Sequence, residues 1–228
     1  KESEGDTPAN QKKLKIAEKL VEIAKFVGQA KNKEAEIVSA NVKCKGIILE
    51  INKGISVLSA ELDKILILIK DKKEDKAEIV KLKNNYEKTT TKLKELNDKI
   101  AEIKTFKDEI DKVKTEKIEK LKTETDSDIS EEKDVKNAFE AALGGDSVKG
   151  SVDTIINEVG TIFTELTEQH TKLNNDFYNI QKDKFTEIDD AVTAAKAAER
   201  KIEAKIIEFG EIKTEYDEKD INLEDIKT

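Results

Sequence analysis

Tryptophan and methionine are absent, aromatic residues amount to 4%, and 228 residues hold one cysteine, one proline and one histidine. Each shortage excludes something. Without its large fillers, a chain of this length has little material for the thick core of a globular domain. Cys44 alone allows no internal disulfide and no cysteine-based zinc site. It falls on an apolar seam and is expected as a small buried hydrophobe, with an intermolecular or reactive thiol as the alternative. His170 alone allows no paired-histidine metal site and no Ser-His-Asp set, and the carboxylate di-metal sites of helical bundles need Glu-x-x-His from two helices. On its apolar stripe His170 reads as structural. Arg200 is the only guanidinium, so bidentate recognition of phosphate or guanine is nearly closed. The 42 basic and 50 acidic residues are interspersed and sum to −8, which argues against a nucleic-acid partner. The longest apolar run, residues 65–69, is far too short to span a membrane.

Two motifs look like chemistry and are not. Gly144, Gly145, Asp146 and Ser147 resemble a phosphate loop but lack its lysine spacing, and read as a helix stop followed by a cap. Asp126, Asp128 and Ser130 lack the glycine and terminal glutamate of a calcium loop, and read as capping residues. No catalytic, cofactor-binding or metal-binding residue is assigned, and an enzyme is not expected.

What is present is charge and aliphatic surface, 40% and 36% of the chain, with the polar positions dominated by the helix formers Lys and Glu. Thin apolar stripes on long helices need no more. The expected fold is all-α, an elongated antiparallel helical bundle with coiled-coil-type heptad packing. Residues 1–10 read as a flexible leader, with Thr7 and Pro8 suited to open a helix. The bundle is predicted over 11–216, with helices at 11–31, 34–70, 76–122, 131–143 and 147–216, and a loose tail at 217–228.

The first helix carries Ile16, Leu20, Ile23, Val27 and Ala30, and a turn is placed at residues 31–33. The second carries the clearest seam, stepping by four and three from Ile37 through Asn41, Cys44 and Ile51 to Ile69. A charged hairpin at 71–75 follows, with Asp75 and Glu78 spaced as a capping box. The third seam runs from Ile79 through Leu93, Leu96 and Ile103, then takes a three-residue step to Phe106, Ile110 and Val113. Beyond it Ile118 and Leu121 fall off phase. Residues 123–130 read as a loop. In the last stretch the stripe runs from Val148 to Leu166, then His170 to Ile180, then Phe185 to Phe209, either as one helix or broken near 181–184.

Function is expected on the surface. Tyr178, beside Phe177, and the short amphipathic helix at 131–143 are candidates for a binding patch, and core is the first reading for both. The abundance of Lys, Ile, Asn, Asp and Glu, the near absence of Arg, Trp and Met, the polar leader and the helical remainder resemble the mature part of a spirochaete surface lipoprotein of the Borrelia type. That resemblance implies display at the cell surface on a lipid attached before Lys1, with the bundle binding host proteins or serving immune evasion. Two other classes remain open. One is an intracellular coiled-coil scaffold or tether pairing through residues 37–69. The other is an α-helical pore-forming toxin component, whose only refolding candidate, residues 138–163, carries Asp146, Lys149, Asp153 and Glu158.

Overall fold

The structure, a computed structural model, describes residues 7–71, 73, 75–144 and 148–226, with the backbone alone at 216 and 219–226. It is all-α, and no strand occurs among the described residues. In chain order the elements are α1 (Pro8–Lys70), α2 (Lys76–Lys112), a π-helical segment (Val113–Glu119), α3 (Lys120–Thr123), α4 (Ser127–Ser130), α5 (Lys133–Leu143) and α6 (Val152–Ile226). The described residues fall into two units. Unit 1 comprises those that fall in Lys1–Asn52 and Thr89–Asn174, and unit 2 those in Lys53–Lys88 and Asn175–Thr228.

The turn expected at 31–33 is not there, because α1 runs 63 residues without a break. Ile23, Ala30, Ile37, Cys44, Ile51, Leu58 and Ile65 are spaced by sevens and all are buried, so the seam passes straight through the supposed turn. The polar run Lys31, Asn32, Lys33 is a stretch of helix surface that carries no seam residue. Lys33 is employed in packing. Its ammonium lies 4.7 Å from the centre of the Phe106 ring and 3.0 Å from Glu109 on α2. Glu50 meets Lys92 at 3.2 Å, so in unit 1 the position on α2 falls as that on α1 rises, and the two helices are antiparallel.

Thr7 accepts from the amides of Asn10 and Gln11 through its carbonyl, and helix begins at Pro8. The last three residues of the expected leader are therefore helical, and residues 1–6 lie outside those described. At the start of α2 the Asp75 carboxylate accepts from the amides of Ala77 and Glu78 at 2.9 and 3.3 Å. Glu78 turns to Lys81 at 2.7 Å.

In α2, Thr89, Leu93, Leu96, Ile100, Ile103 and Ile110 are buried as their spacing requires. The dephasing at Ile118 has a structural cause. A π-helical turn holds more residues than an α-turn, so the five-residue step from Val113 to Ile118 returns to the same face. Both are buried, and the π segment packs against α5. The expected loop at 123–130 contains the single turn α4, anchored by buried Ile129. Val135, Phe139 and Ala142 bury the apolar face of α5, so this helix is core.

Helix α6 starts later than expected. Gly150 adopts φ 80°, a conformation that strains any side chain, and this ends the turn that precedes the helix. Ser151 is the cap, its hydroxyl accepting from the Thr154 amide at 3.2 Å, while Thr154 donates to the Val148 carbonyl at 3.0 Å. Val148 is thus outside the helix. The caps proposed at Asp146 and Ser147, and Gly145 of the helix stop, lie outside the described residues. Gly144 closes α5, where an added Cβ would collide with the Glu140 carbonyl oxygen. From Val152 the helix continues for 75 residues with no break at 181–184, and its backbone is helical through Ile226 where a loose tail was expected. No helix among the described residues is long and apolar enough to cross a membrane.

Candidate binding face on helix α6

The apolar stripe of α6 behaves differently in its two parts. In unit 1, Val152, Ile155, Val159, Leu166 and Leu173 are all buried. In unit 2 none of the described α6 residues is, and Ile202, Ile206 and Phe209 are 51, 66 and 73% exposed. The sequence expected these three as seam residues with a helical partner. They keep the spacing of a seam, and among the described residues none of the three is buried. Successive steps of four and three place them within about 60° of each other around the helix axis. Ala195 and Ala198 extend the same face and are half-buried. The result is a row of large side chains in water, flanked by Lys201 and Lys205. Lys205 is tied to Glu208 on the next turn.

The other residues singled out from sequence are not brought together. Cys44 is completely buried in unit 1, and burial pushes its thiol above the usual range, opposed by the charge of Lys99 and assisted by that of Glu102. A thiol so placed is poorly suited to react. His170 is half-buried, with its Nε2 3.0 Å from the Asn174 side-chain amide. Burial lowers the proton affinity of the ring. Asp126 pairs with Lys15 at 3.1 Å, and no group of three His, Cys, Asp or Glu side chains among the described residues is arranged to hold a metal ion. Tyr178 is 61% exposed, while its neighbour Phe177 stacks on Tyr86 with ring centres 5.6 Å apart.

Sequence reasoning missed two polar arrangements. In unit 2 Glu61 is 7% exposed, and both its oxygens accept from the Asn85 amide, at 2.7 and 2.9 Å. A charged residue beside seam position Leu62 carries no sequence signal of burial. In unit 1 Glu34 of α1 meets Glu158 of α6. Burial raises the Glu34 carboxyl above the usual carboxylate range, the hydrogen bond and charge of Glu158 add to this, and Lys31 opposes it. A carboxyl group whose folded pKa is raised favours the fold when protonated, and that contribution is lost as pH rises from the unfolded value through the folded one. Glu34→Gln is therefore expected to raise the urea midpoint at pH 7 to 8, and the gain should vanish as pH falls below the ordinary carboxylate range. A pH-independent effect, or a loss at neutral pH, would contradict the pairing.

No family model, no curated protein and no solved structure matches the chain.

Proposed function

We propose that this is a non-enzymatic helical binding protein, displayed at a cell surface, that holds a protein partner through the exposed face of α6. The observation that carries the reading is the exposure of Ile202, Ile206 and Phe209 in a single row on a regular helix. A scattered exposed leucine needs no explanation, but a contiguous apolar row rimmed by charge is the mark of an interaction site. The partner chemistry that fits is an amphipathic helix with its own stripe at steps of three and four, which would complete the seam that α6 leaves open. Surface display and host proteins as partners are drawn from the resemblance in composition and leader to spirochaete surface lipoproteins.

The test joins both parts. Protease added to intact cells should digest the protein. The purified chain should capture a component of host serum or extracellular matrix that the double variant Ile206→Glu, Phe209→Glu does not. Loss of two central apolar anchors is expected to weaken capture by roughly a hundredfold or more. Undiminished capture by the double variant would remove the α6 face from the function.

A scaffold that pairs with a second copy of itself is the alternative, and a specific feature favours it. Glu199 and Lys213 stand in the same row, seven residues before and after Ile206. An antiparallel pair centred on Ile206 brings each Glu199 to Lys213 of the other copy, whereas a parallel pair stacks like charges. Light scattering separates the two readings, with a monomer supporting the first and a dimer abolished by Ile206→Glu supporting the second.

A further inference from the structure

Unit 2 contains a second feature that the α6 face does not account for. Between its segments of α1, α2 and α6 lies a cavity of about 280 Å³, walled by aliphatic side chains such as Leu58 and Leu82 and by the Tyr86 and Phe177 rings. The two rings meet at 5.6 Å with a 32° tilt and brace each other on one side of the space. Interiors normally close to the density of organic crystals, and an apolar hollow of this size, open to solvent past Ile79 and Phe185, leaves its lining short of packing contacts. Leu58 and Leu62, which line it from α1, are 3 and 2% exposed, so the cavity reaches the most buried part of unit 2.

Besides the ammonium of Lys83 and the Tyr86 hydroxyl, the lining carries one polar side chain with a buried, unpaired atom. Gln181 of α6 lines the cavity, and its side-chain amide nitrogen is buried with no hydrogen-bond partner among the described residues. A buried amide donor left unpaired forfeits its hydration for nothing, and such groups are rare enough to ask for a reason. An acceptor on a ligand supplies one, since the amide nitrogen can only donate. Charge narrows the ligand further. Lys83 is the only cation lining the cavity among the described residues, and it already stands 3.9 Å from Glu87 and is 75% exposed. The buried Glu61 carboxylate is held by Asn85, the chain neighbour of Tyr86. Nothing here offers an unmatched positive charge to an anion.

We propose that this cavity is a binding site for a small, uncharged, apolar molecule that carries one hydrogen-bond acceptor, received by Gln181. Size sets the scale. An apolar cavity of roughly 150 Å³ takes benzene, so this one takes a molecule of about a dozen non-hydrogen atoms. An aryl ketone fits all three requirements, with its ring against the Tyr86 and Phe177 pair and its oxygen on the Gln181 amide.

Calorimetric titration of the full chain with three probes of matched shape tests this. They are valerophenone, a neutral ketone; pentylbenzene, which has no acceptor; and 5-phenylvalerate, an anion. Valerophenone is expected to bind at one site per chain, roughly two- to tenfold more tightly than pentylbenzene, the margin of one hydrogen bond. Gln181→Leu should abolish that margin and leave pentylbenzene binding in place, whereas Leu82→Phe, which fills the space, should abolish both. Equal affinity of the wild-type chain for the ketone and the hydrocarbon would overturn the assignment, and so would saturable binding of neither, or tighter binding of 5-phenylvalerate than of the ketone. These comparisons need no variant to fold. They are also independent of the α6 face, because capture of a protein by Ile202, Ile206 and Phe209 can fail while the cavity still fills.

Discussion

Leu96→Ala is expected to destabilise unit 1 by about 2–5 kcal/mol, the range found when a fully buried leucine is truncated in a core that cannot collapse around the gap. Leu96 has no exposed surface, and it lies in the α2 seam between Leu93 and Ile100, both of which are buried. The loss combines the transfer free energy of the missing carbons with the space they leave. It matters more here than in a thick core. A thin stripe of aliphatic side chains holds these helices, tryptophan is absent, and the ion pairs that flank the seam, such as Glu50 with Lys92, are surface pairs worth about 0–1 kcal/mol each. Urea denaturation followed by circular dichroism reads the change. Ile202→Ala serves as the control, since a side chain 51% exposed is expected to alter stability by no more than about 0.5 kcal/mol. Losses of equal size at the two positions would mean that the seam has been misplaced.

Single-residue deletions are expected to have opposite outcomes at two exposed positions of the same rod. Removing Asp98 from α2 rotates everything after it by about 100° relative to everything before it. Ile100, Ile103, Ile110 and Val113 would leave the face they now bury, and unit 1 should lose cooperative unfolding. Removing Glu116 takes one residue from the π segment between Val113 and Ile118. The step between those two buried residues becomes four, a regular α-helical spacing, so both stay on the core face and the rod continues as α-helix. This variant should keep its helical circular dichroism and unfold in one transition near the wild-type midpoint. If the two deletions are equally damaging, the π segment is not what restores the phase.

Much of the helical architecture was legible because helical period is a local property. The sevenfold spacing of Ile23, Ala30, Ile37, Cys44 and Ile51 is present in the sequence, and burial follows it residue by residue. The misplaced turn at 31–33 arose from reading Lys-Asn-Lys as punctuation, although Ala30 and Ile37 on either side keep the seam in step. The π segment was visible as a dephasing at Ile118, but its cause was not, because an interruption in period does not say whether a helix ends or takes up an extra residue. The α6 cap moved from residues 146–147 to Ser151, since the backbone at Gly150 and the Thr154 hydroxyl decide together where the first turn closes.

The binding features were less legible still. Phe177 and Tyr86 were both on predicted seams, yet that they meet across unit 2 and leave a cavity behind them depends on which helices come together there. The same holds for the Gln181 amide and for Glu61 with Asn85, whose partners are remote in sequence or missing.

From the sequence alone come the helices, the faces they need to bury and the lack of paired histidines or cysteines, because each is a matter of residue type and of spacing along one strand of backbone. Tertiary structure alone decided which faces are covered. The stripe from Val152 to Leu173 and the stripe from Ile202 to Phe209 have the same pattern of steps, but only the first is buried among the described residues. Burial is a relation between segments far apart in the chain, and no period within one segment can record whether its partner arrives.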